Sequence, residues 1–126
     1  MAEGKGCLSG SLTAATTFTG GDMLNLLNPE GAKLLITRFI INVTTPATGA
    51  ATVDAGVAAS GTSNDELLDG VDIGTAAILV DNIAGVHAET VAAAVVEWGA
   101  DEYLTVTPSA SAAGLVGTYY VEYVRA

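Results

Sequence analysis

The side chains best placed to do chemistry are the acids Asp65, Glu66, Asp69 and Asp72, with Asp81 a little further on. A hard cation such as calcium takes about six to eight oxygen ligands from a tight loop. Here Leu67, Leu68, Val71 and Ile73 interrupt the run, and its spacing is not that of an EF-hand. The acids therefore read as a solvated loop. His87 is the single histidine, between Val86 and Ala88, with no second His or Cys to complete a metal set. Cys7 is the single cysteine, so no internal disulfide forms, and Lys5 is the one charged group close to it in sequence apart from Glu3. No GxSxG elbow occurs, nor a glycine-rich phosphate loop. Trp98, Tyr103, Tyr119, Tyr120 and Tyr123 would make a sugar platform if gathered on one face. Packing in a core or interface is the commoner use of such residues. No residue is assigned a catalytic, cofactor or metal role, and the chain reads as something other than an enzyme.

Positioning these residues requires a fold, and length and charge bound it. The 126 residues suit one domain, able to bury roughly two-thirds of its unfolded surface. Fourteen acids against four bases give a net charge of −10. Lys5, Lys33, Arg38 and Arg125 are scattered, so there is no basic stripe to displace counterions from phosphates. Nucleic acid and anionic membranes are poor partners. No apolar run approaches the roughly 18 residues of a membrane span, and residues 1–10 lack the apolar core of a signal peptide. Only 14% of residues are charged while 50% are hydrophobic, which suits a chain with much surface against neighbours.

Residues 33–43, KLLITRFIINV, organise the rest. They are mostly β-branched or aromatic, types that fit a pleated sheet. Strict alternation puts Leu35, Thr37, Phe39, Ile41 and Val43 on one face and Leu34, Ile36, Arg38, Ile40 and Asn42 on the other. Both faces are then largely apolar, and the second needs a cover, either its own chain or another subunit. Leu34, Ile36, Arg38 and Ile40 are the expected intersubunit face.

Elsewhere the punctuation is that of short strands. Residues 1–10, with Gly4, Gly6 and Gly10, read as a flexible N-terminal arm, and 11–126 as a single domain. Strands are expected over 11–19, 23–27, 33–43, 50–58, 76–80, 102–107 and 115–125. Residues 88–98 fit helix or strand, and strand agrees better with the flanks. Residues 46–49 and 109–114 read as hairpin loops, and 61–74 as a loop with one helical turn at 65–68. The fold class is all-β: a β-sandwich or jelly roll of about seven to eight antiparallel strands.

Three stretches resemble small β-sandwich proteins of tailed-bacteriophage virions: ITRFIINVTTPATGAATVDAGVAA (36–59), NDELLDGVDIGTAAILVDNI (64–83) and EYLTVTPSASAAGLVGTYYVEYV (102–124). The resemblance is to capsid decoration, or cement, proteins. It implies a homotrimer on the outer surface of the capsid, with the major capsid protein as partner, bridging adjacent subunits and needing no cofactor. Similar strings occur in fibre or tail-associated jelly rolls, some of which bind receptors or glycans. In the decoration reading the arm lies on the capsid or a neighbouring copy, through Lys5, Gly6, Cys7, Leu8 and Leu12.

Overall fold

The computed structural model describes residues 5–83 and 95–126. Among them are nine strands and no helix: β1 (Lys5–Ser11), β2 (Leu24–Leu27), β3 (Leu34–Thr45), β4 (Thr52–Ala58), β5 (Leu68–Asp72), β6 (Ile78–Asp81), β7 (Val96–Trp98), β8 (Tyr103–Pro108) and β9 (Val116–Arg125). All pairings are antiparallel. One sheet runs β1-β9-β3, with β6 and β7 sharing the far edge of β3; the other runs β2-β8-β4-β5. The expected all-β sandwich is the fold. The chain changes sheet at every connection except β4–β5 and β6–β7. That back-and-forth winding sets β1 beside β9 and β2 beside β8.

Several local expectations are corrected. The segment expected as a flexible arm is, over Lys5–Ser11, an edge strand zipped to β9 from Lys5↔Val124 to Ser11↔Thr118. The strand expected over 11–19 is absent, because the chain has already spent its pairing on β9. Residues 46–49 and 109–114 are not hairpins: β3 and β4 lie in different sheets, as do β8 and β9. Each of these strands buries an apolar face, and two such faces are covered by stacking across a sandwich. The two crossing loops brace each other, Thr48 N donating to Ala113 O at 2.9 Å. Residues 65–68 form no helical turn, and β5 follows directly. Of the expected strand 88–98, only 95–98 lies within the described residues, and it contributes β7.

The decisive local feature is a bulge in β3. Its pairing with β9 steps from Ile36↔Tyr123 to Arg38↔Glu122, so Thr37 has no partner residue. Thr37 Oγ1 instead donates to Glu122 O at 3.2 Å. One extra residue inverts the alternation. Leu34 and Ile36 therefore join Phe39, Ile41 and Val43 on the inner face, all fully buried. Each such side chain stabilises the fold by roughly 1.5–3 kcal/mol. Leu35, Arg38, Ile40 and Asn42 point outward. Against the inner face, from the second sheet, pack Val53, Ala55, Leu104 and Val106, with Trp98 closing one end. The Trp98 ring meets Tyr123 edge-on, centroids 6.2 Å apart, and its Nε1 donates to Glu102 O.

Candidate functional site

The acids do not converge. Asp54 accepts from Gly70 N, Glu66 from Val57 N, and Asp72 from Gly74 N and the Thr75 hydroxyl. Each holds a turn or an edge of the second sheet. The Thr75 hydroxyl, followed by the Gly74 amide, keeps Asp72 below the usual carboxylate range. Asp81 instead faces Arg38 across the first sheet, Oδ2 to Nη1 at 3.4 Å. Among the described residues no three His, Cys, Asp or Glu side chains gather as metal ligands. His87 lies outside the described residues.

The aromatic set is divided as well. Trp98, Tyr119 and Tyr123 are buried, leaving Tyr120 on the outside of β9 and Tyr103 half-buried on β8. Burial, then the Glu30 charge, raises the Tyr123 phenol above its ordinary value. Tyr123 Oη and Arg125 Nη2 both reach the Glu30 carboxylate, at 3.4 and 2.9 Å.

What the fold does assemble is the outer face of the first sheet. Cross-strand partners set side by side Cys7, Glu122 and Arg38, then Ser9, Tyr120, Ile40 and Asp81, then Ser11, Thr118, Asn42 and Leu79. Leu35 and Val124 pair at one end. Leu79 is 71% exposed, and Leu35, Ile40, Tyr120 and Val124 are half-buried. A depression of about 430 Å³ between β1, β9 and β3 is lined by Lys5, Cys7, Thr37, Tyr120, Glu122 and Val124, among others. The neighbouring Cys7, then burial and the charge of Glu122, push the Tyr120 phenol above its ordinary value.

Of the expected intersubunit face, Arg38 and Ile40 lie on this surface. Leu34 and Ile36 do not: the Thr37 bulge turns them into the core, so no neighbour can reach them. Of the expected arm contacts, Lys5 and Cys7 are exposed. Gly6 and Leu8 face inward, Gly6 beneath the Tyr123 ring, and Leu12 is buried. A side chain at Gly6 would overlap the Tyr123 hydroxyl, which is why the strand carries glycine there. Sequence reasoning missed Leu79 and named Tyr120 only within the aromatic set, not as part of this face. Their signal was alternation: Leu79 lies between the inward Ile78 and Val80, and Tyr120 between the buried Tyr119 and Val121.

No family model, curated protein or solved structure matches this chain.

Proposed function

We propose that the protein is a virion structural protein that decorates the outside of an icosahedral phage head, bridging adjacent major capsid protein subunits through the outer face of its first sheet. The observation that supports this orientation is segregation of charge. All four bases, Lys5, Lys33, Arg38 and Arg125, lie on or beside strands of the first sheet. Three are ion-paired, Lys33 with Glu97, Arg38 with Asp81 and Arg125 with Glu30. Its outer face is thus close to neutral and partly apolar. The second sheet carries Asp54, Asp69 and Asp72, and the β4–β5 loop adds Asp65 and Glu66, with no base among them. Like charge keeps that side in solvent and away from other copies. A contact made many times over a shell gains from avidity, and binding only the assembled shell stabilises it by mass action.

The test is addition of purified protein to heads stripped of decoration. Ile40→Glu with Leu79→Glu is expected to weaken binding at least tenfold, since about 1.4 kcal/mol per site suffices. Asp65→Ser, on the acidic side, is expected to bind normally. Full occupancy by the double variant removes the assignment of this face. Failure of the unmodified protein to bind any head removes the decoration reading.

A further inference from the structure

Among the described residues, four other strand edges are blunted. β2 has four residues and runs into Asn28-Pro29. β5 carries Gly70 at φ +68 opposite an irregular register. β6 and β7 have four and three residues. β1 is the exception: seven residues, an unbroken register, no proline and no bulge. Leu12 N donates to Gly117 O at 2.9 Å, which fixes the phase of the ladder. Gly6, Leu8 and Gly10 turn their backbone groups toward β9, and Lys5, Cys7, Ser9 and Ser11 turn theirs outward. Among the described residues, no backbone group bonds to that outer edge. Natural proteins rarely leave a long flat edge unprotected.

Thr13 N donates to Met23 O, just past the end of β1 and just before β2. The two edge strands therefore flank the same side of the sandwich. Their core-facing leucines, Leu8, Leu24 and Leu26, pack on the core yet stay half-exposed there. That side is partly apolar, and β1 and the chain that follows it carry no acid: no Asp or Glu occurs from residue 4 to 21, in a chain with fourteen.

We infer that the free edge of β1 pairs antiparallel with β1 of a second copy about a twofold axis at Leu8. In that register Lys5 lies opposite the partner's Ser11 and Cys7 opposite its Ser9, so all four outward residues find backbone partners. Gly6 meets the partner's Gly10, which lets the strands approach without a clash, and Leu8 meets its own counterpart as a close, non-hydrogen-bonded pair. No like charges oppose each other. The fit to itself singles out a second copy over a foreign strand, because a chain of charge −10 meets its like most cheaply along an acid-free stretch. Such a contact is isologous and closes as a dimer. It differs from the trimer implied by the resemblance, and it stands apart from the decoration reading.

Sedimentation equilibrium of the full chain is expected to give twice its 12.6 kDa mass. Ser9→Pro removes an outward N–H and leaves the β9 ladder whole; it is expected to give a monomer with an unchanged far-ultraviolet spectrum. In a Cys7→Ser background, Leu8→Cys is expected to form a covalent dimer under mild oxidation, since its Cα atoms would lie about 4.5 Å apart, within disulfide range. Ser11→Cys, about 20 Å from its counterpart, is expected not to. A monomer at high concentration, a trimer, or equal crosslinking of the two cysteine variants overturns the pairing and leaves the shell-binding result untouched. Loss of head binding with the dimer retained counts against the decoration reading alone.

Discussion

Asn82 holds Phe39 by both backbone groups. Phe39 N donates to Asn82 Oδ1 at 2.8 Å, and Asn82 N donates to Phe39 O at 3.1 Å. Asn82 is itself buried. The contact sits where β6 has ended and β7 has not begun, so a side chain stands in for a missing strand partner at the bulge. Asn82→Ala would leave the buried Phe39 N–H without an acceptor. The expected cost is about 1–3 kcal/mol, read as a lowered urea midpoint at constant slope. An unchanged midpoint would mean that water serves the site equally well.

Gly74 and Gly49 offer a matched pair. A Cβ on Gly74 would overlap Gly49 O and come within 2.9 Å of Ala51 N, both backbone atoms that cannot swing aside. A Cβ on Gly49 would meet nothing. Gly74→Ala is expected to destabilise by about 1–3 kcal/mol. Gly49→Ala is expected to be neutral or to stabilise by up to about 1 kcal/mol, through the unfolded chain. Thermal unfolding of the two variants side by side decides it.

The class of fold was legible because β-branched runs and turn residues alternate along the whole chain. Their connectivity was not. A loop such as 46–49 looks alike whether it closes a hairpin or crosses a sandwich, since turn chemistry reports direction and says nothing of which sheet receives the next strand. β1 was misread because Lys5-Gly6-Cys7-Leu8-Ser9-Gly10 has poor strand propensity; it is a strand because β9 offers an edge and two tyrosine rings need glycine beneath them. The outer face of the first sheet was half legible: Arg38 and Ile40 do point outward, while Leu34 and Ile36 are turned inward by a bulge that leaves no mark in residue types.

Stability should fall at both ends of the pH scale, for separate reasons. Asp72 and Asp22 are held below the ordinary value of 3.8, each first by a threonine hydroxyl. The folded state thus binds their protons less tightly, and the stability they add above that value is lost as pH drops through their lowered pKa. Tyr123 is raised above 10.0 by burial and then by Glu30. There the unfolded chain releases its proton first, so stability declines as pH climbs past 10. Tyr123→Phe is expected to flatten the alkaline limb and leave the acid limb alone; Asp72→Asn should do the reverse. Chemical denaturation from pH 2 to 11 measures both limbs, and a Tyr123→Phe curve parallel to wild type would remove the assignment.

The Thr37 bulge makes the sharpest demand on the chain. Because β9 has no residue opposite Thr37, removing it would join Ile36↔Tyr123 directly to Arg38↔Glu122. Alternation would then be regular, with Ile36 inward, Arg38 outward and Phe39 inward, as in the native strand. Only the spacing between β7, paired at Ile36, and β6, paired at Ile40, would shorten, by about 3.3 Å. Deleting Asn42 has the opposite character. Everything on one side of the cut would change face, sending either Val43 or the set Phe39 and Ile41 into solvent. The Thr37 deletion is expected to fold, with Trp98 fluorescence native and a loss of about 1–3 kcal/mol. The Asn42 deletion is expected not to fold at all. If both deletions unfold the protein equally, the bulge is needed to hold β6 and β7 apart, and the inverted alternation is not what the extra residue supplies.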